Sequence, residues 1–168
     1  MRIAISGPPG VGKTTLALKV VEAVKAHGSA VGGFVTLEVR EKGVRIGFDV
    51  LSLKDGRRVQ LARIGEGEPR VGKYVVDLGA CGFMKSLLDA EGVDLLVVDE
   101  IGPMEAKCPS FLDAARSALF GAPRGLAVVH LRFLDMARRW GLDIFMLSKE
   151  NRDRAVHEVL AKLGFRNI

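Results

Sequence analysis

The 168-residue chain predicts a three-layer α/β domain: a mostly parallel sheet covered by helices, with an antiparallel β extension near residues 37–76. Three observations carry that expectation. Short apolar runs alternate with segments of helical spacing, as parallel strands joined by helical crossovers do. The run Val93 to Val98 is almost continuously apolar and ends in two acids, the pattern of a strand covered on both faces. Between Leu37 and Val76 the helical period disappears. Glycine, β-branched residues and alternating charge replace it, with turn signals at Lys42-Gly43 and Asp55-Gly56.

Taken in order, Arg2 to Ser6 reads as a short buried strand and Lys13 to Ala26 as a helix with Leu16, Val20, Ala23 and Val24 on one face. Val31 to Thr36 is a second strand, followed by the hairpins of the extension. Gly65 to Pro69 is a loop, and Lys73 to Leu78 a further strand. Phe83 to Glu91 is expected to be helical, Val93 to Val98 the central strand, and Ser110 to Phe120 a helix. Leu126 to His130, a helix near 131–139, Leu142 to Leu147 and a last helix from Asn151 to Leu163 complete the alternation. No linker, repeat or low-complexity tract interrupts residues 1–168, so one domain is expected.

Hydrophobic residues make up 48% of the chain, enough for a substantial core. The formal charge of +5 suits a protein that handles small polyanions, and equally suits ordinary solvated faces. Cys81 and Cys108 have no metal-type spacing; they read as reduced thiols of a cytoplasmic protein, with a single disulfide as the alternative. The longest purely aliphatic run, Leu95 to Val98, is far too short for a membrane span. Only Gln60, Asn151 and Asn167 carry side-chain amides, while 27% of residues are charged. That balance points to a thermophilic source.

The stretch Gly7-Pro8-Pro9-Gly10-Val11-Gly12-Lys13-Thr14 fits the spacing G-x-x-x-x-G-K-[ST]. Each position has a physical reason. Glycines let the backbone wrap closely, so that its N–H groups point inward at phosphate oxygens. The following helix aims its positive dipole end at the same anion. Lys13 reaches the β- and γ-phosphates, Thr14 offers its hydroxyl to Mg²⁺, and Thr15 supports the helix start or contacts the α-phosphate. Gly67-Glu-Pro-Arg-Val-Gly72-Lys73-Tyr74 repeats the glycine and lysine spacing as an internal control. Tyr74 replaces the small hydroxyl, Glu66 and Glu68 would repel phosphate, and a strand follows. The second match is read as a loop with a basic end.

The central strand delivers Asp99 and Glu100 at its carboxyl end, the edge where open α/β sheets place ligands. Asp99 is the expected Mg²⁺ partner, and Glu100 the group that orients and deprotonates a water. His130 ends a neighbouring strand, and Arg132 follows it; both are candidates for contact with the γ-phosphate or its transition state. Arg40, Arg45, Arg152 and Arg154 are further basic candidates. Guanine-specific sites end a late strand with Asn/Thr-Lys-x-Asp. Here Ser148-Lys149-Glu150-Asn151 puts an amide where the deciding acid would stand. Loose base selectivity is therefore expected, with Lys149 stacking along the base.

These residues resemble the thermophilic nucleoside-triphosphatases, whose animal members are called cancer-related nucleoside-triphosphatases. The matching stretches are GPPGVGKTTL (7–16), GFVTLEVRE (33–41), RIGFDVLSL (45–53), VGKYVVDL (71–78), LLVVDEIGPMEAKCPSF (95–111) and SKENRD (148–153). The resemblance implies a RecA/AAA-like P-loop core with added strands and slow Mg²⁺-dependent hydrolysis of several nucleoside triphosphates to diphosphates. It also implies two nucleotide-contacting stretches: Gly7 to Thr14, and Leu95, Leu96, Val97, Val98, Asp99, Glu100, Ile101 and Gly102. A small-molecule kinase using the same cradle is the second reading, and a nucleic-acid-associated ATP switch the third. A kinase of this size needs an arginine-bearing lid, which the turn-broken 37–76 segment does not resemble. For nucleic acid there is no helix-turn-helix and no aromatic stacking platform. A monomer is the expected state.

Overall fold

A computed structural model describes residues 1–168. The strands are β1 (Arg2–Ser6), β2 (Val31–Glu41), β3 (Val44–Ser52), β4 (Arg58–Ile64), β5 (Arg70–Val71), β6 (Tyr74–Val76), β7 (Leu95–Ile101), β8 (Arg124–Val129) and β9 (Asp143–Met146). The helices are α1 (Lys13–Ala26), α2 (Ala80–Ser86), α3 (Phe111–Gly121), α4 (Leu134–Trp140) and α5 (Ala155–Lys162), with single 3₁₀ turns at Glu105–Lys107, Leu131–Phe133 and Arg152–Arg154.

All nine strands share one sheet, in the order β5-β6-β4-β3-β2-β7-β8-β1-β9. From β2 to β9 the neighbours are parallel; from β2 outward to β5 they are antiparallel. The expected α/β core with its extension is therefore one continuous sheet. The joint is β2 itself. Its first residues, Val31–Phe34, run parallel to β7, and Phe34–Glu41 pair antiparallel with β3. The sequence reading ended this strand at Thr36, yet nothing between Thr36 and Leu37 breaks an extended chain.

Side-chain alternation along the central strands divides the interior in two. Ile3, Ile5, Leu95, Val97, Leu126 and Val128 pack beneath α1 and α5. Ala4, Leu96, Val98, Ala127 and Val129 pack beneath α2, α3 and α4. Because both faces are covered, β7 shows no polar residue before Asp99. The topology carries the carboxyl ends of β1, β8 and β7 side by side at one edge.

Two expectations are corrected here. The helix placed at Phe83 to Glu91 is α2, which starts at Ala80 and ends at Ser86. Asp77 accepts a hydrogen bond from the Gly79 N–H at its entry, and beyond its exit Asp89 accepts one from the Glu91 N–H. These Asx turns set limits that apolar periodicity does not mark. Cys81 and Cys108 are not free thiols: they form a disulfide with Cα atoms 5.4 Å apart. The bridge ties α2 to the turn after β7, two segments that share one core although the two cysteines are 27 positions apart in sequence. The argument from reduced thiols to a cytoplasmic protein falls with it. No helix is long and apolar enough to cross a membrane.

Candidate nucleotide-binding site

The buried strand β1 leads into the loop Gly7–Gly12, and Val11 anchors the loop in the core under α1, 4% exposed. Gly10 and Gly12 take φ of 77° and 106°, values that only glycine adopts without steric cost. Lys13 folds back over the loop, its ammonium donating to the carbonyls of Gly7 (2.9 Å) and Pro8 (3.1 Å). Pro8, Pro9 and Gly10 form the exposed crest, and Thr15 is exposed on the first turn of α1. That turn carries no acidic residue and no side-chain cap. Its N–H groups and the positive end of its dipole are left for an anion.

Two carboxylates, Asp99 and Glu100, lie within reach of the Lys13 charge, and a third, Glu105, adjoins them. Asp99 is 1% exposed, and neither of its oxygens has a hydrogen-bond partner. Burial and the neighbouring Glu100 hold its carboxyl well above the usual range. The Thr14 hydroxyl and the Lys13 charge oppose that shift, though the Thr14 contact falls short of full hydrogen-bond geometry. Glu100 is half-buried where the register of β7 against β8 steps from Asp99 to Ile101. Its carboxyl is also raised, by burial, with Lys13 pulling it down. Glu105, 2% exposed, opens the 3₁₀ turn after β7. Thr36 of β2 donates to its Oε1 at 3.4 Å, while Oε2 has no partner. Burial first, then Glu100, push the Glu105 carboxyl well above its ordinary value. Gly102 makes the meeting possible: a Cβ there would sit 2.7 Å from Glu100 Oε1 and 3.0 Å from Glu105 Oε2.

At the end of β8, His130 Nδ1 accepts a hydrogen bond from the Arg132 backbone N–H (3.1 Å). Burial, Lys13 and Arg132 lower its pKa. Nδ1 is thus the acceptor, and the neutral ring carries its proton on Nε2. Ser6 Oγ donates to the Val129 carbonyl at 2.8 Å, fastening the base of the loop to this strand end.

A protein-family model described as NTPase matches residues 2–160. The chain belongs to that NTPase family. Among its relatives, the nucleoside-triphosphatase THEP1 of Pyrobaculum aerophilum is 51% identical over 98% of this chain and 94% of its own length. The solution structure of a human cancer-related nucleoside triphosphatase superposes with a TM-score of 0.82 at 34% identity, covering 99% of each chain. The crystal structure of THEP1 from the hyperthermophile Aquifex aeolicus gives 0.80 at 28% identity, covering 97% of this chain and 99% of its own. Family and fold agree with the resemblance read from the motifs.

Within this NTPase the expected site residues divide. Leu95, Leu96, Val97 and Val98 are completely buried in the two cores, as is the Ile101 side chain. These five side chains build the strand, and Asp99, Glu100 and Gly102 stand at its carboxyl-terminal edge. Asn151 has a local structural task. Its Oδ1 accepts from Ser148 N–H and its Nδ2 donates to the Met146 carbonyl, both at 2.8 Å. Both ends of the amide thus take part in closing the turn. Lys149 is exposed beside it. Arg152 lies against the loop, Nη1 3.5 Å from the Val11 carbonyl, whereas Arg40 and Arg45 pair with Glu38 and Arg154 with Glu158. Glu105 was not singled out from the sequence. It follows Glu100 by five residues in an irregular turn, where neither strand nor helix periodicity marks a face.

The raised carboxyls make a stability prediction. In the metal-free protein, Asp99, Glu100 and Glu105 bind protons more tightly folded than unfolded. Stability is therefore full below the ordinary carboxylate pKa and falls as pH rises from there through the raised folded values. Glu105→Gln removes one of these three contributions. Its melting temperature at neutral pH, in chelator, is expected to exceed that of the wild type, and its decline with pH to be shallower. A lower melting temperature across the whole range would show that the Glu105 charge is compensated in the fold.

Proposed function

We propose that this NTPase hydrolyses ATP, GTP and other nucleoside triphosphates to diphosphate and phosphate, with Mg²⁺ and with little choice of base. The observation that carries the reading is Asp99: a buried carboxylate with two unpartnered oxygens beside an uncapped helix start. A buried charge without partners is costly unless a cation or proton joins it. Thr14 and Asp99 are the hard oxygen donors that suit Mg²⁺. No cluster of three His, Cys, Asp or Glu side chains has metal-binding geometry, in keeping with an ion held by one or two protein groups plus phosphate oxygens rather than by a protein cage. When bound, Mg²⁺ neutralises charge on the β- and γ-phosphates.

The loop N–H groups and the start of α1 bind the triphosphate, and Lys13 exchanges its two carbonyl contacts for phosphate oxygens. Glu100 accepts a proton from a water whose oxygen bonds to the γ-phosphorus as the bond to the β–γ bridging oxygen breaks. Burial raises Glu100 toward the pH at which a carboxylate serves as a base. His130 donates from Nε2 to a γ-phosphate oxygen. Glu105, pinned by Thr36 and packed on Gly102, positions Glu100. Broad base tolerance rests on the Ser148–Asn151 turn, which lacks a carboxylate at the place of Asn151, and on exposed Lys149, which stacks on any base. All these groups come from one chain, so the monomer is expected to suffice.

Phosphate release measured with ATP, GTP, CTP and UTP, with and without Mg²⁺, tests this. Rates within about tenfold of one another (~1.4 kcal/mol) and loss of activity in chelator are expected; Lys13→Ala loses both binding and turnover. A strong preference for GTP would overturn the base reading, and full activity in chelator the metal reading.

A further inference from the structure

Beside the catalytic edge lies a second recess, about 430 Å³ in volume. Three separate elements converge on it. Arg70 and Val71 come from β5 in the antiparallel extension, Pro103 and Lys107 from the turn after β7, and Arg132 and Phe133 from the turn after β8. No carboxylate lines it, and none of its three cations takes part in an ion pair within the chain. Arg70 Nη2 donates to the Gly65 carbonyl, but its Nε is buried with no acceptor. The wall is fixed, since Cys108, next to Lys107, is bridged to Cys81 of α2.

Like charges brought together without a counter-charge repel, and a buried guanidinium N–H lacking an acceptor is costly. An anion answers both. Arginine and lysine side chains suit phosphate oxygens, while Val71, Pro103 and Phe133 offer an apolar wall to a carbon skeleton. The volume matches a small-molecule pocket. We propose that this recess binds a small phosphate-bearing organic molecule, with Arg70, Lys107 and Arg132 on the phosphate and Val71, Pro103 and Phe133 against the organic part. The site is distinct from the glycine loop and does not depend on the triphosphate reading.

The test uses phenyl phosphate as probe, titrated calorimetrically into the Lys13→Ala chain so that the loop is disabled. Saturable 1:1 binding at or below about 1 mM is expected, with inorganic phosphate weaker. Arg70→Gln and, separately, Lys107→Gln weaken phenyl phosphate by roughly tenfold or more. In the Lys13 background of the wild type, the same two changes leave triphosphate hydrolysis unaltered. Lys107→Gln alters an exposed side chain, so it tests the site even if Arg70→Gln loosens the extension. Absence of saturable binding, equal affinity for inorganic and phenyl phosphate, unchanged affinity in both variants, or loss of hydrolysis in Lys107→Gln would each overturn the proposal. None of the binding outcomes bears on hydrolysis at the loop, which Lys13→Ala tests separately.

Discussion

Glu100→Gln is expected to retain nucleotide affinity while lowering phosphate release by roughly 10²–10⁴-fold. The amide keeps the size of the side chain and its place against Gly102, but it cannot accept the proton of the attacking water. The loop, Lys13 and Asp99 remain as they are, so ground-state binding persists. At about 1.4 kcal/mol per decade, the loss corresponds to roughly 3–5.5 kcal/mol of transition-state stabilisation. Removing one negative charge beside Asp99 also takes away repulsion toward the incoming polyanion, so triphosphate affinity is not expected to fall. Fluorescent-nucleotide binding and single-turnover hydrolysis, measured on the same preparation, separate the two effects. Hydrolysis at the wild-type rate would remove Glu100 from its role and point to another group, Glu105 first, as the base.

The largest effect on stability is expected at Gly33 rather than in the site. Gly33 lies in β2 with φ of 95°, and a Cβ there would stand 1.9 Å from the Val97 carbonyl oxygen. The obstacle is backbone of the central strand β7, which no rotamer change can move aside. Gly33→Ala must therefore displace β2 from β7, at the joint between the parallel and antiparallel halves of the sheet. A loss of roughly 4 kcal/mol or more is expected, in the range reserved for strain and overpacking. For a chain of this size that is a fall of about 8–16 °C in melting temperature. Since β2 also carries Thr36, the partner of Glu105, hydrolysis should suffer even where the fold survives. A melting temperature within about 2 °C of the wild type would show that the strand pair accommodates a methyl group freely.

How much of this was legible beforehand depended on how local the cause is. The loop from Gly7 to Thr14 is read from consecutive residues because each position has its own backbone or side-chain task, and the structure displays the loop between β1 and α1 as expected. Asp99 and Glu100 were legible because an apolar run ending in acids marks the end of a strand covered on both faces. Glu105 was not, since its significance comes from Thr36, Gly102 and Glu100 meeting it from three directions. The disulfide is no more than an alternative in the sequence, because cysteines 27 positions apart say nothing about which core each one joins. The local task of Asn151 is likewise invisible in the sequence: its amide both donates and accepts to close its own turn.

The amino-acid sequence alone determined the phosphate cradle, the alternation that makes an α/β sheet, and the acids at its edge, since these follow from spacing, backbone freedom and periodicity within short windows. Tertiary structure decided that β2 joins two halves of one sheet, that Cys81 meets Cys108, that Glu105 stands behind Glu100, and that three unpaired cations share a recess. Those are meetings between segments far apart in the chain, and packing, not local preference, brings them together.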